Sequence, residues 1–403
     1  MVSYKGGLSV YAERIGGLRS SAIRDILEVT SRPGMISFAG GLPAPELFPV
    51  EQMKEVSQRV LSDYGSSALQ YSITEGLLAL RNWIAGVVSP DLGPVGPENI
   101  IITQGSQQGL DMVSKLFLDK GSTVFVENPS YLGALQSFQL FQANVVSIPS
   151  DEQGMKMSAL RDRLKTRTPS LLYLMPNFQN PTGVSLSMER RLALAEIVKE
   201  HNLLVVEDDP YGELVYEGLS HPSLYGIGGS EHFIYLSTFS KTIAPGLRVA
   251  YIVADREVIR KLALVKQGTD LQTNTFGQYL VYEYVRSGAY GEHISLLRKT
   301  YRNRRDCMIS ALERYFPDAV SWNRPEGGMF LWLSLPVSTN AEDILSLCLE
   351  QNVAFVPGHV FFPDGSGKNT IRLNFSNAAP SIIEEGISRM GGVLKRLKIQ
   401  MRQ

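Results

Sequence analysis

The chain has 403 residues, 44% of them hydrophobic and 20% charged, with a formal net charge of −1. That length exceeds one comfortable hydrophobic core, so two closely associated domains are expected, and the near-zero charge gives no electrostatic reason for nucleic acid or an anionic membrane as partner. Cys307 and Cys348 lie far apart and outside any Cys-x-x-Cys pattern, which argues against a disulfide framework or a thiolate metal site. The first residues lack a signal-peptide pattern and no run approaches a membrane span, so a cytoplasmic location is the expectation.

In chain order, Ser20 to Val29 reads as a short helix, with Ile23, Ile26 and Leu27 on one face and Arg24 beside it. Next comes a loop in which Gly40 and Gly41 allow unusual backbone angles and Pro43 and Pro45 stiffen the exit. It is either structural punctuation or a place where backbone meets a ligand. Pro49 to Leu61 and Leu77 to Val88 are helical in pattern, joined through a loop that carries Tyr71. Seven strand-like runs then alternate with helical stretches: 100–103, 123–126, 144–148, 171–175, 203–207, 233–237 and 249–253. This is the pattern of an α/β protein with a mostly parallel seven-stranded sheet covered by helices on both faces. After about residue 290 the pattern changes to a charged helix, strands near 328–335, 353–356 and 370–375, and a closing helix over 382–397. The expected division is an arm and loop over 1–44, a large domain over 45–290 and a smaller α+β domain over 291–403.

In open parallel sheets ligands bind beyond the carboxyl ends of the strands. Here those ends carry unusual residues. Gly105, Ser106 and Gln107 open a helix after the first strand and can cradle a phosphate, where a plain helix cap would explain Ser106 alone. Tyr131 follows the second strand and can stack on a flat ring or cap the core. Asn177 and Asn180 sit in a rigid Pro/Gly turn after the fourth. Glu207, Asp208 and Asp209 follow the fifth, and at least one must point inward and find a cationic partner, although Glu207 and Asp209 could each be an exposed acidic turn. The sixth delivers Lys241, with Ser237, Thr238 and Ser240 before it and Arg248 after it. A random lysine in such a turn is usually solvated. Lysine, carboxylate, aromatic plate and phosphate grip converging on one sheet edge are what pyridoxal 5'-phosphate requires. Competing cofactors fit worse: no dinucleotide or P-loop fingerprint is complete, and the five histidines show no paired metal spacing.

Tyr71-Ser-Ile-Thr-Glu-Gly, Gly105-Ser-Gln-Gln, Asn180-Pro-Thr-Gly, Asp208-Asp-Pro-Tyr, Ser240-Lys-Thr and Arg372-Leu-Asn-Phe occur in the order of class I/II aminotransferases of pyridoxal-phosphate fold type I, which the chain resembles from about Ile23 to Phe375. Through Ser21-Ala-Ile-Arg, the Phe38 to Pro49 segment and Asn352-Val-Ala-Phe-Val-Pro-Gly it is most similar to the branch of 2-aminoadipate and kynurenine/aminoadipate aminotransferases. The resemblance implies that Lys241 is the Schiff-base and proton-shuttling lysine, that Asp208 faces the pyridine nitrogen, that Tyr211 and Asn180 bond the ring hydroxyl oxygen and that Tyr131 stacks on the ring. Ser106, Gln107, Ser240 and Arg248 would hold the phosphate, with Tyr71 reaching across from a second subunit of a homodimer. Arg372 would clamp the substrate α-carboxylate, Arg24 would meet an acidic side chain or swing away, and Gly40, Tyr71 and Asn180 would complete the substrate site. Thr238 stands three before the lysine where many relatives have Ser, and a hydroxyl is kept. The implied reaction is ping-pong transfer of an amino group from an L-amino acid to a 2-oxo acid such as 2-oxoglutarate. A β-lyase or decarboxylase on the same fold is the alternative. An aminotransferase-like regulator is the distant one, since only about thirty residues precede the glycine loop and they are not markedly basic.

Overall fold

The computed structural model describes residues 11–16, 34–218 and 220–397. The expected helix over 20–29, and Arg24 with it, lies outside these residues. The strands are β1 (Ile36–Ser37), β2 (Ile100–Thr103), β3 (Thr123–Asn128), β4 (Asn144–Asp151), β5 (Gly154–Met155), β6 (Leu171–Leu174), β7 (Val205–Asp208), β8 (Phe233–Thr238), β9 (Ala250–Val253), β10 (Ser321–Trp322), β11 (Phe330–Ser334), β12 (Val353–Ala354), β13 (Val356–Pro357) and β14 (Thr370–Asn374).

All seven expected strands join one sheet in the order β2-β9-β8-β7-β6-β3-β4, and the two-residue β5 adds an eighth at the edge. Strands β8, β7, β6, β3 and β4 run parallel, while β9 lies antiparallel to β2 and β8. The central strands β6 and β7, and β2 at the edge, are buried along their whole length, which is why they read as continuous apolar runs without alternation. The pleat still sorts them: Leu172 and Leu174 face one core, Leu171 and Tyr173 the other. Each fully buried Leu, Ile or Val in these layers contributes about 1.5–3 kcal/mol by leaving water.

Beyond residue 290, β10, β11, β14 and β13 form an antiparallel sheet that shares one hydrophobic core with the long helix Ala289–Tyr315 and the closing helix Pro380–Arg396, which pack on each other. The chain's early segment belongs spatially with this late region. Strand β1 pairs in parallel with β12, and the Asn374 amide donates to the Phe38 carbonyl at 2.9 Å. The segment after β1 is thereby strung between the two sheets, and this places Gly41 over the carboxyl ends of the large one. Among the described residues no helix is long and apolar enough to cross a membrane.

Candidate active site

A cavity of about 270 Å³ opens where the carboxyl ends of β3, β6, β7 and β8 meet the smaller sheet. It brings together Ser106, Gln107, Tyr131, Asn180, Asp208, Tyr211, Ser240, Lys241, Arg248 and Arg372, all of them residues expected from the sequence. Gly41, the neighbour of the expected Gly40, also lines it, so the glycine loop does bring backbone to the site. Tyr71 does not reach it within one chain. It is 80% exposed, beside Gln272 and Phe276 in a separate surface hollow.

Lys241 sits in the turn after β8 and donates from Nζ to the Gly41 carbonyl at 2.9 Å. Burial, followed by the positive charges of Arg248 and Arg372, pulls its amine down to about 8. A charged amine here would be desolvated and pushed by two cations, so the neutral, nucleophilic form is reached near physiological pH.

One end of the cavity is built for an anion. Gly105, at φ 79°, turns the chain into the helix Ser106–Phe117, and a Cβ at Gly105 would run into Arg248 Nη2. Only a glycine lets that guanidinium lie across the helix start. Ser106 Oγ is buried and has no hydrogen-bond partner among the described residues. Ser240 Oγ lies 3.0 Å from Thr238 Oγ1 and 3.4 Å from Arg248 Nη1. Free backbone N–H groups, the helix dipole, hydroxyls and a guanidinium together make a phosphate site. The Gln107 amide is engaged by the Gly133 carbonyl and Ser137 Oγ, both at 2.9 Å, and Ser237 turns away to the Asp209 carbonyl.

The far end holds the carboxylate run, and all three acids are buried. Strand alternation separates them. Glu207 turns to the opposite face, where it accepts from Ser223 Oγ (2.8 Å), Leu224 N (3.0 Å) and Tyr225 N (2.8 Å) at the start of the short helix Leu224–Gly228. Asp209 accepts from Gly212 N at 2.8 Å and Tyr235 Oη at 3.2 Å. The exposed-turn reading of Glu207 and Asp209 is thus overturned: each anchors a neighbouring loop, which no local pattern announces. We expect Glu207→Ala to lower stability by about 3 kcal/mol, because it orphans two buried donors, Ser223 Oγ and Leu224 N, and leaves Tyr225 N with Ser223 Oγ alone, with urea unfolding as the measurement and an unshifted midpoint as the contrary result.

Asp208 alone of the three faces the cavity. Within the protein its partner is a phenol, since Tyr173 donates to Oδ2 at 2.7 Å, while Oδ1 is buried without a partner among the described residues and is the oxygen left for the expected cation. Burial pushes this carboxyl up to about 7, against the pull of the Tyr173 hydrogen bond. Tyr211 stands edge-on to Phe330 at 5.9 Å, and burial raises the Tyr131 phenol to about 12, with Asp208 adding to it. Of the two turn amides, Asn180 lines the cavity. Asn177 instead accepts from Arg191 Nη2 at 2.6 Å on the other side of the sheet.

Arg372, in β14, is 1% exposed. It donates to Asn180 Oδ1 at 2.7 Å and to the Ala39 carbonyl at 2.5 Å. Its guanidinium lies 4.5 Å from the Phe330 ring centroid and 4.9 Å from that of Phe361, and Nε is without a partner among the described residues. A guanidinium fixed in this way, with no carboxylate partner among the described residues, is ready for one. The orphaned Ser106 Oγ, Asp208 Oδ1 and Arg372 Nε, together with the glycine-cleared cradle, fit pyridoxal phosphate and an amino acid in shape and in chemistry. Sequence reasoning missed Tyr173. Its signal was a lone hydroxyl in the apolar run 171–174, but the acid it serves lies 35 residues on.

The sequence profile of aminotransferase class I and II matches residues 33–390. The chain is 45% identical to the 2-aminoadipate transaminase of Thermus thermophilus over 390 residues, which is 96% of this chain and 97% of that one. It is 40% identical to aromatic-amino-acid aminotransferase 1 of Thermococcus litoralis over 96% of this chain and 94% of that one. The crystal structure of LysN, an α-aminoadipate aminotransferase from Thermus thermophilus, complexed with N-(5'-phosphopyridoxyl)-L-leucine, superposes with a TM-score of 0.90 at 44% identity, covering 96% of this chain and 98% of that chain.

Proposed function

Since this chain belongs to the class I and II aminotransferases, we propose that it takes its amino group from L-amino acids with acidic, aromatic or aliphatic side chains, 2-aminoadipate foremost, and passes it to 2-oxoglutarate, with glutamate as the product in that direction and the donor in the reverse one. Transamination with pyridoxal 5'-phosphate between an amino acid and a 2-oxo acid is the family's chemistry. The substrate choice is supported by relatives described as 2-aminoadipate and aromatic-amino-acid aminotransferases. The observation that carries the site assignment is the Lys241 amine, held near neutrality at a cavity whose corners offer an anion cradle, an orphaned carboxylate oxygen and an unpaired guanidinium.

When bound, the cofactor supplies a carbonyl that condenses with amines and a pyridinium ring that takes up the electron pair left by the breaking α-C–H bond. The rest is work for this chain's own residues. Ser106, Ser240, Arg248 and the backbone at the helix start hold the phosphate, while Gln107 braces that helix against its neighbour. Asp208 would hold a proton on the ring nitrogen, Tyr211 and Asn180 would bond the ring oxygen, and Tyr131 would cover the ring. Arg372 binds the α-carboxylate and thereby sets which bond at the α-carbon faces Lys241. Lys241 Nζ would take the proton from the α-carbon and deliver it to the cofactor's carbonyl-derived carbon, on the far side of the substrate nitrogen. Arg24 as a reader of an acidic side chain, and Gly40 as part of the substrate loop, belong to the same proposal.

The proposal extends to assembly and place. A homodimer would bring the exposed Tyr71 of one subunit to the phosphate of the other, the cytoplasm would be the location, and the units 1–44, 45–290 and 291–403 would move as arm, large domain and small domain. The test is a panel of amino donors against 2-oxoglutarate, with glutamate formation and the cofactor's visible absorbance followed together. 2-Aminoadipate and aromatic donors are expected to give the highest kcat/KM with parallel double-reciprocal lines. Release of CO2, or of a β-substituent, without glutamate would favour the decarboxylase or β-lyase reading instead.

A further inference from the structure

Tyr173 is the one side chain of β6 that carries a hydrogen-bonding group, and it is fully buried. The register pairs it with Val206 on β7. Because side chains alternate along a strand, Tyr173, Val206 and Asp208 share one face of the sheet, with Asp208 the diagonal neighbour of the phenol. Phe138 packs edge-on to the Tyr173 ring at 5.7 Å and 71°, which holds the hydroxyl where it meets Asp208 Oδ2 at 2.7 Å. Oδ1 of the same carboxylate stays buried, at the cavity and unpartnered among the described residues.

We propose that Tyr173 is a positioning residue: its O–H occupies Oδ2, fixes the rotation of the carboxylate and leaves Oδ1 as the oxygen that receives the ring N–H of the cofactor. This rests on the reading of Asp208 given above. Packing alone does not account for the hydroxyl, since phenylalanine fills nearly the same space without burying a group that must find an acceptor. Donation to the carboxylate also favours its ionised form, the form that keeps a proton on a pyridine nitrogen.

The test compares two ligands reconstituted into the same protein: pyridoxal 5'-phosphate, and its analogue with the ring nitrogen replaced by C–H. A residue that acts through the nitrogen changes only the first. The wild type is expected to prefer pyridoxal phosphate, and Asp208→Asn to erase that preference. Tyr173→Phe is expected to cut the preference about tenfold, the scale of one hydrogen bond to a charged group, while leaving the affinity for the analogue within about twofold. Equal weakening of both ligands, or of neither, in Tyr173→Phe would overturn the role of Tyr173 and leave Asp208 untouched. A wild type that does not discriminate would instead remove the Asp208 reading on which the proposal rests. If Tyr173→Phe does not fold, 4-fluorophenylalanine in place of Tyr173 keeps the volume without the donor and carries the same two outcomes.

Discussion

Replacing Lys241 by alanine is expected to lower kcat for transamination by about 10³- to 10⁴-fold, the upper range for loss of a positioned acid–base group, while the protein still binds cofactor. Binding persists, weakened by the loss of the Schiff-base link, because the phosphate cradle at Ser106, Ser240 and Arg248 does not involve the lysine side chain. The fold is retained because Nζ has its hydrogen bond to the Gly41 carbonyl, which reaches solvent or substrate once the side chain is removed. Added primary amines should restore part of the rate in proportion to their basicity, since what is missing is a proton carrier. The pH dependence has a definite sign. In cofactor-free protein the Lys241 amine sits at about 8, below the ordinary 10.5, so it is mostly charged and inert at pH 6 and mostly neutral at pH 9. Labelling of Lys241 by an amine-selective reagent should therefore rise with a midpoint near pH 8, and in Arg248→Gln the midpoint should move up as one repelling charge leaves. A midpoint near 10 in the wild type would falsify the account of burial and charge at this amine.

The second large effect is at Arg372. Arg372→Leu should reduce kcat/KM for amino acids by about 10²- to 10³-fold, the cost of removing one partner from a buried charge pair. Arg372→Lys should recover only part, because a point charge cannot reproduce the fork that Asn180 and Ala39 orient. The discriminating substrate is an amine without a carboxylate. Its slow turnover should be nearly the same in wild type and variant, because the guanidinium has nothing to bind there. If the amine loses as much as the amino acids, Arg372 is a structural brace of Asn180 and not a clamp.

These effects trace back to different depths of legibility. Strands β2, β6 and β7 were readable as apolar runs too short for helices, and the strand-end rule then collected Ser106, Tyr131, Asn180, Asp208 and Lys241 at one edge without a partner residue being known. Arg372 could be assigned only through the family resemblance, because nothing in Thr370–Asn374 tells that this strand crosses to the ends of a different sheet. The fates of Glu207 and Asp209 were not readable at all. Both were open to being exposed, yet both are buried, with donors at Ser223, Tyr225 and Tyr235 that lie far along the chain.

The dividing line is one of range. Periodicity, turn chemistry and residue type act over a few residues, so the sequence by itself determined the alternation of strands and helices, the edge where function gathers and the kinds of group that arrive there. Which oxygen of Asp208 is free, that Tyr173 and not a cation holds the other, that Gly41 and not water receives Nζ, and that a guanidinium from β14 faces a lysine far earlier in the chain all depend on register and on packing between the two sheets. Those are long-range choices, set by how buried surfaces match once the chain has closed on itself, and only the tertiary structure decided them.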